Sequence, residues 1–339
     1  MATIREVAIK AGVAPASVTR VLGGYPNVSD ELRERVLAAV SEVGYEPDLV
    51  AAGLRRGYTK IIGMIVNDVL NPVVAQWIDV IEEELRTAGY GVILANSRGE
   101  SAADLVNFKL LHQRRVDGLI ATFSDDTQTE LLDAVTALEI PVVLLDRQMK
   151  SEDLSSVLSD HAYAARALIN HLCDRGHREI AIISGSIAAY PSRERTAAVV
   201  STMNERGLPV RDEFQVGGRG TAEFAGKALS RMLDLPVPPS AVVLGNGNTS
   251  ALAGILYELR RRNLRIGVDI ALAVAEEGAL ASLHTPAITA VERDVVDIAR
   301  RAAHMMLGQL GAAGRHAHTV ILPTRLLLRE STDWSFTAR

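Results

Sequence analysis

Cysteine is nearly absent from this chain of 339 residues, and the absence excludes several classes of protein. The single Cys173 cannot form an internal disulfide, which excludes a disulfide-stabilised scaffold. Its segment is amphipathic, so we expect a buried, inert thiol. The histidines show no metal-ligand spacing with acids or cysteine, except the close pair His316 and His318 in an expected surface loop. No serine lies in a nucleophile-elbow motif, and no glycine-rich phosphate loop is present. We therefore expect no metal, no cofactor, no catalytic residue and no enzymatic activity.

Long hydrophobic runs are also missing. No segment approaches transmembrane length, and the first residues lack the apolar run of a signal peptide. With a single cysteine, this predicts a cytoplasmic protein that does not contact a membrane. The composition is otherwise that of a globular protein, with 48% hydrophobic and 23% charged residues. The net charge of −5 does not by itself indicate a nucleic-acid-binding protein.

The first twenty-two residues predict two short helices joined by a tight turn. Thr3 and Glu6 stand at capping-box spacing at the start of the first helix. Gly12 supplies the turn, and Pro15 stands where a helix tolerates proline, in its first turn. The second helix runs to about Leu22 and has one apolar face. This arrangement is typical of a helix-turn-helix, whose second helix enters the major groove of DNA.

A third helix and a hinge follow. Ser29 is the expected N-cap of the third helix, and Gly44 ends it. The apolar residues along one side of this helix form its expected buried stripe: Leu32, Val36, Val40 and Val43. After Pro47, the segment 49–57 is a helix of marginal length with an internal glycine, so we expect it to fold only against DNA.

The chain resembles the LacI/GalR family of bacterial transcription regulators, and the resemblance extends over nearly the whole sequence. The motifs that carry it are Thr3-Ile4-Arg5-Glu6-Val7-Ala8, Ala11-Gly12-Val13, Val18-Thr19-Arg20-Val21-Leu22, Val28-Ser29, Gly44-Tyr45-Glu46-Pro47, Val116-Asp117-Gly118, Asp146-Arg147, Gly176-His177-Arg178 and Arg329-Glu330-Ser331-Thr332. The family implies a DNA-binding repressor, active as a homodimer on a near-palindromic operator and controlled by a small-molecule effector.

The body of the chain predicts an α/β fold. From Ile61 onward, apolar strand-like runs alternate with helix-length segments, which is typical of parallel sheets covered by helices. The pattern restarts at Ala162, so we expect two doubly wound lobes, with ligand bound between the carboxyl ends of their strands. The resemblance implies a periplasmic-binding-protein-like core that the chain crosses three times.

These observations give four predicted regions. They are a helix-turn-helix headpiece (1–46), a hinge helix and linker (47–60), an N-terminal lobe (61–159 and 292–321) and a C-terminal lobe (160–291 and 322–339).

The resemblance assigns base-reading positions to the second helix. Pro15, Ala16 and Arg20 occupy them, and only Arg20 can bond a guanine edge in a bidentate manner. Ser17, Thr19 and Ser29 would hold phosphates. The alternative for Arg20 is a phosphate clamp or a solvated surface charge. Ala14 departs from the serine that usually caps this helix in the family, so we expect a less firmly anchored helix start.

Leu54 is the residue that the family inserts as a wedge between base pairs of the minor groove. Two copies of the hinge must meet for two wedges to enter one central step, which implies a homodimer. The alternative is that Leu54 packs against its own headpiece. No leucine-heptad tail argues for a tetramer.

The resemblance also assigns effector-binding positions in the cleft. These are Val74, Asp146, Arg195, Thr221, Asn246, Glu276 and Arg293. Asp146 and Glu276 would accept hydrogen bonds from hydroxyls, and Arg195 would anchor a ring oxygen or an acid. The alternative for each charged residue is an ion pair across the cleft.

The departures from the family pattern bear on the effector. Val74, Thr221 and Ala275 replace aromatic residues, so the cleft lacks the usual stacking surfaces for a pyranose or purine. Arg293 stands where the family tends to have glutamine. Added to Arg195, it favours an acidic ligand such as a sugar acid or sugar phosphate, unless it pairs with Glu276 or Glu292.

Two other classes of function compete with the repressor. The core fold also suits an exported solute receptor, but such receptors have a signal peptide and no headpiece. An effector sensor with impaired DNA binding is the second alternative, because Ala14 and Gly53 weaken the headpiece and the hinge. Residues 1–60 hold eight Lys/Arg and seven Asp/Glu, a net charge of +1, so DNA affinity depends on dimerisation and geometry as well as on phosphate neutralisation.

Overall fold

A computed structural model of the chain describes residues 2–45, 57–245, 248–310 and 317–333. They belong to two compact units, Met1–Thr59 and Lys60–Arg339. Each unit is described separately. Leu54 and most of the predicted hinge, Asn246 of the predicted effector site and His316 lie outside the described residues.

The N-terminal unit contains the three predicted helices: α1 (Ile4–Ala11), α2 (Pro15–Leu22) and α3 (Asp30–Val43). The capping box of α1 forms, since Thr3 N donates to Glu6 Oε2 at 2.7 Å and Glu6 N donates to Thr3 Oγ1 at 3.4 Å. The helix ends at Gly12, whose φ of 66° is in the left-handed region that glycine adopts at low cost.

The core of this unit is small. Val7, Val18, Val21 and Val36 are buried in it. Of the predicted α3 stripe, only Val36 is fully buried, and the other three positions pack partly exposed against the core. The three helices therefore rest on few fully buried side chains, and each helix cap contributes a substantial share of their stability.

The second unit has two six-stranded sheets. The first sheet is parallel throughout, with strand order β11-β5-β4-β3-β1-β2. Its strands are β1 (Ile61–Val66), β2 (Gly91–Asn96), β3 (Gly118–Thr122), β4 (Val142–Leu145), β5 (Ser155–Ser159) and β11 (Thr319–Leu322). We call this sheet with its covering helices the first lobe.

The second sheet has the order β12-β10-β9-β8-β6-β7 and is parallel except for the antiparallel edge strand β12. Its strands are β6 (Ile180–Ser184), β7 (Gln215–Gly217), β8 (Ala241–Gly245), β9 (Ala271–Val274), β10 (Thr289–Arg293) and β12 (Thr324–Leu327). It forms the second lobe. The two doubly wound lobes confirm the predicted fold class.

The helices of this unit cover the sheets. They are α4 (Pro72–Thr87), α5 (Ser101–Gln113), α6 (Thr129–Thr136), α7 (His161–Asp174), α8 (Tyr190–Glu205), α9 (Ala222–Leu233), α10 (Thr249–Arg261), α11 (Ala279–Ser282) and α12 (Val295–Leu310). Cys173 of α7 is partly buried, and burial raises the pKa of its thiol, which suits an inert side chain. No helix in the described ranges is long and apolar enough to cross a membrane.

The chain crosses between the lobes three times. The crossings lie between β5 and α7, between β10 and α12, and between β11 and β12. The first and third run side by side, because Asp160 N donates to Leu322 O at 2.9 Å and Thr324 Oγ1 donates to Asp160 O at 2.8 Å. Strand β10 stays in the second sheet until Arg293, whereas the sequence boundary assigned residues from 292 onward to the first lobe.

Two stretches differ from the sequence pattern. The sequence pattern predicts a strand over Glu213–Val216, but the structure has a 3-10 helix at Asp212–Phe214 and pairs as β7 only from Gln215. Strand β5 was not predicted, because serines make up three of its five positions. All five are nonetheless buried, since β5 lies between β4 and β11 inside the sheet.

Candidate recognition helix and interlobe cleft

Helix α2 presents a defined outer face. Pro15, Ala16 and Arg20 are exposed, while Val18 and Val21 are buried beneath them. In the described part of the chain, the Arg20 guanidinium makes no hydrogen bond or ion pair. The residues predicted to read bases therefore share one accessible surface, and the long side chain of Arg20 remains available to a ligand.

The residues predicted to hold phosphates are already partly engaged. Thr19 Oγ1 donates to Pro15 O at 3.1 Å, and Ser29 Oγ accepts from Leu32 N at 3.4 Å as the cap of α3. Ser29 retains its hydroxyl proton for a phosphate oxygen. Ala14 stands at the N-cap of α2 and makes no side-chain hydrogen bond, as its residue type requires.

The cleft between the two lobes is a cavity of about 500 Å³ at the carboxyl ends of the strands. This volume is within the range of small-molecule sites. Four helices begin at its wall, with Asn71, Ala189, Thr221 and Asn248 as their N-caps. Their amide ends make the cleft favourable for negative charge.

Three of the four charged residues predicted for the effector site, Asp146, Glu276 and Arg293, bind one another. Arg293 donates through Nε and Nη2 to the two oxygens of Glu276, at 2.9 and 2.8 Å. Its Nη1 donates to Asp146 Oδ2 at 2.6 Å. Asp146 belongs to the first lobe, whereas Glu276 and Arg293 belong to the second, so this network joins the lobes. The predicted alternative of an ion pair across the cleft is therefore present.

His161 completes the network. Its Nε2 lies 2.8 Å from Asp146 Oδ1. Burial lowers the pKa of His161 to about 4, so the ring is neutral near neutral pH and donates Nε2–H to the carboxylate. Burial opposes the charge of Asp146, but the facing His161 and Arg293 outweigh it and hold the pKa of Asp146 well below its usual range. Asp146 also has a φ of 52°, an uncommon conformation for a residue other than glycine.

Arg195 differs from Arg293 in its partners. Its Nη1 donates to the carbonyl of Gly245 at 3.0 Å, and no carboxylate of the described residues binds it. The side chain lines the cavity and is 7% exposed. Burial lowers the pKa of Arg195 to about 10, which leaves it a desolvated cation at neutral pH.

Asp126 is a second link between the lobes, and the sequence did not indicate it. It follows β3 in the first lobe, and its carboxylate accepts from Tyr190 N at 2.8 Å and Arg193 Nη1 at 3.0 Å in the second lobe. Helix α8 has Ala189 at its N-cap, which offers no side-chain acceptor. Asp126 therefore caps α8 from the opposite side of the cleft.

The expectation of a cleft without aromatic side chains is wrong at one position. Trp77 lies one turn after Val74 in α4, and both line the cavity. Trp77 Nε1, Thr122 Oγ1 and Asn67 Oδ1 are buried atoms of the wall that have no hydrogen-bond partner in the described residues. Thr221 also lines the cavity, with its hydroxyl accepting from Phe224 N at 3.2 Å as the cap of α9.

Comparisons with known proteins agree with this geometry. Residues 3–48 match the family described as bacterial regulatory proteins, lacI family, and residues 169–332 match a periplasmic binding protein-like domain. The HTH-type transcriptional repressor PurR of Proteus mirabilis is 30% identical, over 98% of this chain and 97% of its own. The chain belongs to the lacI family. It is a DNA-binding transcriptional regulator controlled by a small-molecule effector, and not an enzyme.

Other members of the lacI family align over similar lengths. Catabolite control protein A of Priestia megaterium is 28% identical, over 97% of this chain and 99% of its own. The crystal structure of the lac repressor dimer bound to operator and the anti-inducer ONPF superposes with a TM-score of 0.85. It is 22% identical and covers 98% of this chain and 99% of its own. The sequence-based prediction of the family is confirmed.

Proposed function

We propose that this lacI-family regulator is a repressor that binds a near-palindromic operator as a homodimer. Helix α2 would enter the major groove with Arg20 on a guanine edge and Pro15 and Ala16 against apolar base surfaces. Arg20 is exposed, makes no ion pair with any described residue and lies on a face backed by buried valines, and this observation carries the assignment. Ser17, Thr19 and Ser29 would contact phosphates.

The hinge would provide the second contact with DNA. Leu54 would insert into the minor groove at the centre of the operator, next to Leu54 of the partner subunit. The headpiece and hinge together, residues 1–60, carry a net charge of only +1 and gain little from phosphate neutralisation alone. Pairing of two headpieces on one duplex would supply the affinity that each lacks.

The effector would bind in the interlobe cleft, among Val74, Asp146, Arg195, Thr221, Asn246, Glu276 and Arg293. A cavity of about 500 Å³ accommodates a sugar, a sugar acid or a sugar phosphate. A ligand that bridges the lobes would change their closure and with it the spacing of the two hinges, so that effector and DNA favour different states. Such a regulator would act in the cytoplasm, where operator and metabolite meet.

Removal of residues 1–59 tests whether DNA binding depends on the headpiece and effector binding on the remaining unit. The remaining Lys60–Arg339 unit should keep any thermal stabilisation that a cell metabolite extract gives to the full chain, because the cleft lies wholly within it. Its retention on duplex DNA should disappear. Duplex binding by the truncated protein at the affinity of the full chain would contradict the proposal, because a site outside the headpiece would then bind DNA.

A further inference from the structure

The two carboxylates of the cleft have little capacity left for a ligand. Asp146 accepts from Ser159 N at 3.1 Å and from His161 and Arg293, so three of about four lone-pair sites are used. Both oxygens of Glu276 are bonded to one guanidinium. A neutral sugar, which a free carboxylate would bind through hydroxyls, therefore has to break existing charged hydrogen bonds.

The Arg293 guanidinium has few hydrogen-bond donors left for a ligand. Its side chain is 3% exposed, and Nη1 also donates to Ser159 Oγ at 3.0 Å. Four of its five N–H donors are thus used by protein acceptors. The guanidinium fills the place of a cationic or hydrogen-bond-donating ligand and neutralises half of the charge of the two carboxylates.

Arg195 is a buried arginine of the cavity wall that no carboxylate of the described residues binds. It is more than nine-tenths buried, it lines the cavity, and its one hydrogen bond in the described residues is to a backbone carbonyl. Among the described residues that line the cavity, five are arginines and three are carboxylates, a net charge of +2. Four helix N-termini add positive potential at the same wall.

The wall of the first lobe offers neutral groups instead. Trp77 can only donate through Nε1, Asn67 Oδ1 can only accept, and Thr122 Oγ1 can do both. All three atoms are buried without a partner in the described part of the chain. Mixed donors and acceptors of this kind suit a hydroxyl group, so this part of the first-lobe wall can hold the hydroxyl end of a ligand.

We propose that Arg293 determines the charge class of the effector. By occupying Asp146 and Glu276, it makes the cleft select a small hydroxylated anion, a carboxylate or phosphate, whose negative charge lies against Arg195. The hydroxyl end of that anion faces Trp77 and Thr122. This assignment rests on the proposed function, since it names the effector of the same cleft.

The test uses the full-length protein and a panel of matched compounds. D-glucose, D-galactose and D-ribose are compared with their aldonic acids and terminal phosphates, and inorganic phosphate serves as the non-sugar anion. Stabilisation is measured as the shift in Tm, and hits are titrated by calorimetry at constant ionic strength. The wild-type protein should be stabilised by anionic members of the panel and not by the neutral sugars.

Variants on the two sides of the ion pair should act in opposite directions. Glu276→Gln removes one of the two carboxylates that compensate the charge of Arg293. The anion should therefore bind more tightly, with a Kd lower by roughly tenfold for one charged hydrogen bond. Arg293→Gln releases both carboxylates, so anion affinity should fall by a similar factor and neutral sugars should begin to bind. Arg195→Gln should abolish anion stabilisation.

Arg325→Gln is the matched control. It removes an exposed arginine that pairs with Glu292 on the neighbouring strand, at 2.6 Å and away from the cavity. It should leave every Kd unchanged. Circular dichroism establishes which variants fold, and Glu276→Gln with Arg195→Gln suffices if Arg293→Gln does not fold.

Several results would overturn the assignment. Stabilisation of the wild-type protein by neutral sugars at equal or lower concentration would do so, as would an anion affinity unchanged by Glu276→Gln and Arg195→Gln. Absence of any stabilising compound in the panel would also reject this ligand class. Duplex binding by the same samples is scored separately, so failure of the repressor assignment would be visible as loss of DNA binding with the ligand results intact.

Discussion

Single residues show which parts of the cleft the sequence could locate. Asp146 and Glu276 follow buried strands of different lobes, and the carboxyl ends of the two sheets face each other across the cleft, so their proximity was predictable. Their binding to Arg293 was one of two open alternatives, because a guanidinium reaches several acids at similar distance. Asp126 and Trp77 gave no signal, since their importance depends on which distant backbone and cavity they face.

Asp126 should contribute both to stability and to lobe closure. Asp126→Ala removes the cap of α8 and the partner of Arg193, so the free energy of unfolding should fall by about 1–3 kcal/mol. The radius of gyration of the Lys60–Arg339 unit, measured by small-angle scattering, should rise as the lobes separate. The neighbouring Asp125→Ala is the control, because the Asp125 carboxylate accepts hydrogen bonds within its own turn, from Thr127. Equal effects of the two substitutions would refute a bridging role for Asp126.

Secondary-structure elements were predicted best where regularly spaced apolar residues were bounded by capping or turn residues. The three headpiece helices were located within a few residues, because capping residues or turns bound them, and the alternation of strands and helices from Ile61 onward was also predicted. The lobes of strands β10, β11 and β12 were predicted only through the family resemblance, since the residues of these strands do not by themselves indicate a sheet. Their place depends on the crossings between lobes, which are decided by packing of the whole unit.

Helix α2 should become more stable against local unfolding when a side-chain N-cap is introduced at residue 14. In Ala14→Ser, the new hydroxyl can accept from a first-turn amide, which is worth about 1 kcal/mol. Amide exchange in the α2 segment should slow by roughly fivefold in hydrogen-exchange mass spectrometry. Ala14→Val, which also lacks a side-chain acceptor, provides the comparison and should not slow exchange. Unchanged or faster exchange in the serine variant would show that α2 is not limited by its cap.

The whole molecule should lose stability in mild acid. Burial lowers the pKa of His161 and of His177 to about 4, from 6.5 in the unfolded chain. Between these pH values the unfolded chain binds more protons than the folded chain. The stability that the two neutral histidines contribute is therefore fully present above pH 6.5 and is lost as the pH falls towards 4. Urea unfolding should show a loss of roughly 2 kcal/mol per histidine from pH 7 to pH 5.

Substitution of one of these histidines isolates its share. His177→Gln should remove about half of the pH dependence, whereas His112→Gln, at an exposed position, should leave it unchanged. A pH dependence that persists in full in both variants would mean that other groups cause the acid sensitivity.

The central claim is that the headpiece reads a palindrome through Arg20 and Leu54, and selection from a random duplex pool tests it most directly. The wild-type protein, with or without added metabolite mixture, should enrich a near-palindromic site with a flexible central step. Arg20→Ala should relax specificity at one base pair of each half-site, at about 1–3 kcal/mol. Leu54→Ala should weaken binding without changing the half-sites. Failure to enrich any sequence under either condition would contradict the account.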